Sequence, residues 1–320
     1  DKTMIISASR RTDIPACYSD WFLKRIQEGF LFVRNPKFRH NVSRISLSPS
    51  VVDCIVFWTK NPIPMMKRLP MLRDYMFYFQ FTVTGYGKDI EPHIPDKKKA
   101  VLPAFVELSK QLGKGRVIWR YDPIFFNKRY TAEYHLRAFS QIAKTLEGYT
   151  DTCVISFLDT YPKVFGKDKD GVTAEEKTDA YLKGFSGKLA EIGKQHGMKL
   201  ATCAEKIDLS SVGIGHNACI DKGRIEKLLG ATLSPLGKDF SQRPECLCCN
   251  SIDIGTYNTC RNGCRYCYAN LRGEKTVERI SGKYDPASPV LCDTVHKKDD
   301  VVENPNVRSL IRRETQLFEE

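Results

Sequence analysis

Twelve cysteines dominate the chemistry open to this chain, and three of them share one short segment. In Thr259-Cys260-Arg261-Asn262-Gly263-Cys264-Arg265-Tyr266-Cys267-Tyr268 they stand at C-x3-C-x2-C spacing, with an aromatic residue just before the third. Three thiolates on one tight loop can hold three irons of a cubane cluster and leave the fourth iron open to a non-protein ligand. Closed ferredoxin-type sites supply four cysteines instead. Zinc is the alternative occupant, but it usually takes paired C-x2-C spacings with a fourth Cys or His.

A second set lies just upstream: Cys203, Cys219, Cys246, Cys248 and Cys249. Cys203 ends a strand-like run and is expected to face the mouth of a site, while Cys219 precedes a helix start, where thiolate is favoured. Cys203, Cys219, Cys246 and Cys248 suit an auxiliary iron–sulfur cluster, with zinc the less favoured occupant, Cys249 the alternate ligand, and His216 a possible substitute for one of the four. Cys54 and Cys153 sit inside apolar runs and read as small core hydrophobes. Cys17 and Cys292 carry no assignment.

The remaining composition excludes several classes. At 320 residues the chain is too long for a disulfide mini-protein and suits one large barrel or two modest domains. No apolar run approaches the roughly 18 residues of a membrane-spanning helix, and the first residues do not read as a secretory signal. A reducing cytoplasm is therefore the expected setting, and no membrane partner is expected. In that setting cysteine-rich chains more often bind metal or do redox chemistry. The 50 Lys+Arg outnumber the 38 Asp+Glu. A basic surface of that kind attracts polyanions, but no Lys/Arg block or RNP-type motif accompanies it.

The elements that must position these residues are legible as short β-branched and aromatic runs: Met4–Ser9, Asp53–Thr59, Phe77–Val83, Arg116–Tyr121, Cys153–Leu158, Lys199–Cys203 and Ile252–Tyr257. Most are continuously apolar, as strands buried on both faces of a parallel sheet are. Helical patterns alternate with them. Asp20 is expected to cap Trp21–Glu28, Thr131 to head the Tyr134–Leu146 stretch, Thr173 and Glu176 to form a capping box, and Asp221 to precede Ile225–Leu229. The segment 35–49 reads as a hairpin or long loop. Strand–helix alternation repeated about seven times predicts an α/β fold, a (β/α) TIM-type barrel, complete or open-sided. Polar strand exits would converge at one end: Ser9–Pro15, Trp58–Pro62, Thr82–Gly87, Trp119–Pro123 and Thr202–Lys206. Among them Tyr121, Asp122 and Glu205 are candidates for acid/base or hydrogen-donor roles.

Through Cys260, Cys264, Tyr266 and Cys267, and the strand leading into them, the chain resembles the radical S-adenosylmethionine (SAM) superfamily. The superfamily carries this motif after its first barrel strand, so the resemblance implies a circular permutation: Ile252–Tyr257 would be the first strand and Met4–Ser9 the second. The strand exits resemble those of the spore-photoproduct-lyase branch. The whole chain looks most like a domain-of-unknown-function family with a C-terminal radical-SAM cysteine cluster. A Gly-Gly-Glu after the second strand, usual in the superfamily, is absent.

The resemblance implies residues 1–270 as the permuted barrel, with the cluster loop at 260–267 and auxiliary-cluster loops at 203–249. Residues 271–320 would then form a C-terminal helix and tail packed against it. It also implies a 4Fe-4S cluster and SAM as cofactors, an electron donor such as flavodoxin or ferredoxin, and hydrogen abstraction from a peptide, nucleic acid or metabolite. Tyr266 would lie near adenine and Asn270 would support the loop, while Lys60, Thr82 and Arg120 are candidate partners for SAM. The rival expectation is a non-catalytic iron–sulfur or zinc protein that binds nucleic acid through its basic face.

Overall fold

The computed structural model describes residues 4–158, 174–270, 272–303, 309 and 311. Eleven strands are formed among these residues: β1 Ile5–Ala8, β2 Phe30–Arg34, β3 Asn41–Ser46, β4 Cys54–Thr59, β5 Phe77–Thr82, β6 Val117–Ile124, β7 Thr152–Phe157, β8 Lys199–Cys203, β9 Gly215–Asn217, β10 Ile252–Asp253 and β11 Asp300–Glu303. Eight of them build one parallel sheet in the order β10-β1-β4-β5-β6-β7-β8-β9. Among the described residues no ladder joins its outer strands, β9 and β10. The fold is thus mixed α/β around a large parallel sheet. All seven expected strands are present, although the run expected over Ile252–Tyr257 pairs only as Ile252–Asp253. Beyond Asp253 the chain bends towards β1, and a Cβ on Gly255 would overlap the Ser9 hydroxyl. The Ser9 side chain packs so closely on this backbone that a side chain at position 255 would displace it.

β10, the last strand of this sheet in chain order, lies beside β1, the first. Ile6 pairs with Ile252 and Ser7 with Asp253, so the sheet runs from the cysteine-bearing end of the chain into β1 and onward through β4.

Side chains alternate across each strand, and the two faces of the sheet differ. One face carries Ile6, Phe57, Phe79, Phe81, Trp119 and Ile155 against the helices as the main core. Full burial of a residue such as Phe79 contributes about 2–3 kcal/mol. The other face carries Ile5, Val56, Tyr78, Ile118 and Val154 in a smaller cluster that includes Cys219, Cys246 and Cys248. Cys54 and Cys153 are fully buried, as expected of core cysteines.

Helix ends depart from expectation in two places. The helix Ser19–Glu28 starts two residues earlier than Asp20 would set it, with Tyr18 at the cap; Asp20 lies in its first turn, where negative charge suits the helix dipole. The capping box expected at Thr173 and Glu176 does not form at Glu176, since the helix there begins at Asp179 and Thr178 caps it by accepting from the Tyr181 amide; Thr173 lies outside the described residues. Thr131 caps the helix Ala132–Leu146 as expected, and Asp221 caps Lys222–Leu229.

The hairpin is β2 with β3, extended by β11 in a separate three-stranded sheet. The helix Glu274–Ser281 follows the cysteine loop. Beyond it, Tyr284 packs against Tyr18 and the Trp21 indole donates to the Ser288 carbonyl. No helix among the described residues is long and apolar enough to cross a membrane.

Candidate active site

The strand exits open onto a cavity of about 510 Å³. Inner-face positions of successive strands line it: Ser9, Trp58, Thr82, Arg120, Asp122, Ser156 and Cys203. Both cysteine groups reach the same space, Cys260, Cys264 and Cys267 from the loop and Cys203, Cys219, Cys246 and Cys248 from the second set. All twelve cysteines are free thiols.

Two aspartates, Asp13 buried and Asp253 half-buried, hold the cysteine loop in place. Asp13 accepts from the Ala16 amide at its helix start, from the Lys60 amide at the exit of β4, and from Asn262 Nδ2 at 2.8 Å. Asp253 accepts from Ser7 Oγ at 2.7 Å, Ser9 Oγ at 2.6 Å and the Arg10 amide at 2.8 Å, tying β10 to the exit of β1. Asn270 Nδ2 donates to the Cys260 carbonyl at 2.8 Å, so it braces the loop. Gly263 is left-handed at φ 66°, and a Cβ there would meet the His93 ring, so a side chain would be both strained and crowded.

A buried charge network lies beneath the loop. Glu91 accepts from Lys60 Nζ at 2.8 Å, from Lys97 Nζ at 2.5 Å, from the Thr84 hydroxyl and from the Tyr266 hydroxyl. Burial alone would raise its pKa, but Lys60 and Lys97 hold it down at about 2. Lys60 also lies 5.4 Å from the centre of the Tyr266 ring and acts on Cys264 by its charge. Burial pushes the Cys264 thiol well up and Cys267 to about 11. Cys260 is raised chiefly by a hydrogen bond with Cys17. This gives Cys17 a place beside the loop that its sequence position did not reveal.

The second set is held by two arginines. Cys219 Sγ lies 3.3 Å from Cys203 Sγ and receives a 2.8 Å hydrogen bond from Arg120 Nη1. Hydrogen bonding from Cys219, reinforced by Arg120, lowers Cys203 to about 6. Hydrogen bonds from Cys219 and Cys246 hold Cys248 far below the usual thiol range, with Arg10 adding to the effect. Cys219 and Cys246, the donating partners, are pushed up. Cys249 turns away and donates to the Ile220 carbonyl at 3.3 Å. His216 bonds the Thr202 hydroxyl at 2.9 Å and does not line the cavity.

The sequence-derived candidates therefore divide. Lys60, Thr82, Arg120, Asp122 and Tyr266 line the cavity with the seven cysteines. Arg120 is already engaged with Asp122 and Cys219. Asp122 also binds the Ser156 hydroxyl, and Arg120 keeps its carboxyl below the usual range despite burial. Tyr121 does not share this space. One residue out of phase with Arg120 and Asp122, it points into the main core and bonds His135 Nδ1 at 2.8 Å. Glu205 accepts from the Phe157 amide at 2.7 Å and likewise does not line the cavity.

Sequence reading missed Glu91, Arg10 and Asp253 as parts of the site. Among the described residues, no three Cys, His, Asp or Glu side chains converge to hold a single metal ion.

A family model described as a domain of unknown function (DUF1848) matches residues 5–269, from the first residue of β1 to two residues past Cys267. The chain belongs to the DUF1848 family. No curated protein matches the sequence. The DUF1848 match takes in every cysteine that lines the cavity and both aspartates that hold the loop.

Proposed function

We infer that this DUF1848 chain is a radical SAM enzyme on a permuted (β/α) barrel, with Cys260, Cys264 and Cys267 as ligands of a 4Fe-4S cluster and Cys203, Cys219, Cys246 and Cys248 as ligands of a second one. When bound and reduced, the first cluster supplies the electron that cleaves SAM to methionine and a 5′-deoxyadenosyl radical, which takes hydrogen from a substrate. The observation that carries this reading is the single cavity of about 510 Å³ shared by a C-x3-C-x2-C loop and four further thiols at the strand exits.

The donors fit these groups. Each thiolate of a cubane sits on a different iron, so its ligands need not converge on one point. Four cluster thiolates would bring negative charge into a buried place, and Arg10 and Arg120 stand there to offset it. Lys60 does the same beside Cys264. Metal binding displaces the protons that burial keeps on Cys264 and Cys267.

The chain's own side chains also suit SAM and an organic substrate. The Thr12 hydroxyl and Arg10 Nη2 belong to residues that line the cavity, are buried, and have no hydrogen-bond partner among the described residues. Buried polar groups are nearly always satisfied, so a polar ligand is the fitting complement. Trp58, Phe157 and Leu158 supply an apolar wall that keeps water from a reactive intermediate. Tyr266, pinned by its hydroxyl to Glu91, offers a fixed ring face near the loop.

The test is anaerobic reconstitution followed by iron and sulfide analysis and incubation with SAM and dithionite. Two cubanes give about eight irons per chain, and 5′-deoxyadenosine accumulates unless Cys264 is replaced by Ala. A chain that binds iron or zinc yet releases no 5′-deoxyadenosine is a non-catalytic metalloprotein, and the enzyme reading falls.

A further inference from the structure

A second recess, of about 360 Å³, lies on the other side of the cysteine loop. Ala269 lines both this recess and the cysteine cavity, so the segment that follows Cys267 is the wall between them. The recess is strongly cationic. Arg34 and Arg11 border it but are already engaged, Arg34 with Asp293 and Asp299 at 2.7 and 2.8 Å, and Arg11 with Asp253 and the Gly255 carbonyl. Arg39, Arg272, Arg279 and Lys283 also line it, are exposed, and have no side-chain hydrogen bond or ion pair among the described residues. Asp293 is the one carboxylate among the described lining residues, and Arg34 already neutralises it.

Four cations from three separate segments border one recess, and none has an ion pair among the described residues. They come from the β2–β3 turn, the end of the cysteine loop and the helix Glu274–Ser281 with its C-terminal extension. Because they are exposed and carried on separate elements, they present a surface rather than an enclosed pocket. A small phosphate would reach only some of them. A protein face bearing several carboxylates matches them all. Transient redox encounters use small, charge-steered interfaces of this kind, with fast association and strong salt dependence.

We propose that this recess docks the acidic face of a one-electron carrier protein, which delivers its electron across the Cys267–Ala269 wall. The proposal rests on the radical SAM reading for the electron's destination. In the transfer the carrier is oxidised by one electron and the cluster held by Cys260, Cys264 and Cys267 is reduced by one, with no bond made or broken.

The test compares the reconstituted wild-type chain with the triple variant Arg272→Glu, Arg279→Glu, Lys283→Glu. Reduced flavodoxin is the carrier, and binding is measured by titration calorimetry at low and high salt. The expected result is an affinity for flavodoxin that falls at least tenfold in the variant and loses its salt dependence. SAM cleavage driven by flavodoxin drops in parallel, while cleavage driven by dithionite stays at the wild-type rate. The milder pair Arg272→Ala and Arg279→Ala moves both readouts in the same direction by a smaller factor. Equal flavodoxin affinity in wild type and variant overturns the proposal. So does a wild-type chain that ignores flavodoxin and binds a single-stranded RNA oligonucleotide through the same residues. If dithionite yields no 5′-deoxyadenosine from either protein, the enzyme reading fails, while the flavodoxin titration still decides whether the recess is a docking face.

Discussion

Arg120 joins a cysteine to a carboxylate: Nη1 donates to Cys219 Sγ at 2.8 Å while Nη2 donates to Asp122 at 2.5 Å. Arginine can do this because its planar fork presents several donors at once. Arg120→Leu leaves Asp122, a half-buried carboxylate, without its cation, a loss of about 1.5–3 kcal/mol. The metal proposed for the second site should be lost in the same variant. Arg120→Lys keeps the charge but not the fork and is expected to fall between the two. Iron analysis and urea unfolding report the outcome, and unchanged metal content in Arg120→Leu would show that the arginine has no part in that site.

Cys248 and Cys249 are neighbours with different fates. Cys248 faces the cavity, whereas Cys249 donates to the Ile220 carbonyl. Cys248→Ala is expected to empty the second site and leave the first loaded. Cys249→Ala should keep both loaded at a cost of about 1 kcal/mol for a lost hydrogen bond. Iron counts that fall equally in the two variants would reverse this assignment.

Acid unfolding should proceed through two successive windows that meet near pH 4. Burial holds His135 down at about 4, against 6.5 for an ordinary histidine. The unfolded chain therefore binds that proton first, and stability falls as pH drops from 6.5 towards 4. Glu91, held at about 2 against 4.5, contributes stability that is complete above 4.5 and lost as pH falls towards 2. Each window is worth about 3 kcal/mol. Urea midpoints measured across pH should lose the lower window in Glu91→Gln, which is also less stable at neutral pH because Lys60 and Lys97 lose their counter-charge. A Glu91→Gln curve parallel to wild type below pH 4.5 would contradict this.

Tyr121→Phe removes only the hydroxyl bonded to His135. It should cost about 1 kcal/mol and leave the iron content intact. Loss of iron in this variant would place Tyr121 at the site after all.

Much of this arrangement was readable from local signals. The strands announce themselves as apolar runs, and the loop by the spacing of Cys260, Cys264 and Cys267. Asp122 could be picked out as a polar strand exit. Tyr121, one residue before it, could not be separated from it without the phase of β6, since which face a strand residue takes depends on register rather than composition. Glu91 sits in a loop without periodicity, and its partner Tyr266 lies 175 residues away. Nothing local marks such a pairing. β9 has three residues, too few to show a pattern. Cys17 could not be linked to Cys260 for the same reason as Glu91: only the closure of β10 onto β1 brings them together.

That closure also sets an order of events. Asp253 leaves the ribosome 246 residues after the Ser7 it binds, and the loop that follows it leans on Asp13 and on the exit of β4. The amino-terminal strand must wait, with one edge unpaired, until nearly all of the sheet has been synthesised. Contacts so far apart in sequence form slowly, and an open strand edge invites pairing with other chains in the interval. Loading of the cluster proposed for this loop would thus be bound to the pairing of β10 with β1, and a nascent chain halted before residue 252 would hold a nearly finished sheet without the loop proposed to receive that cluster.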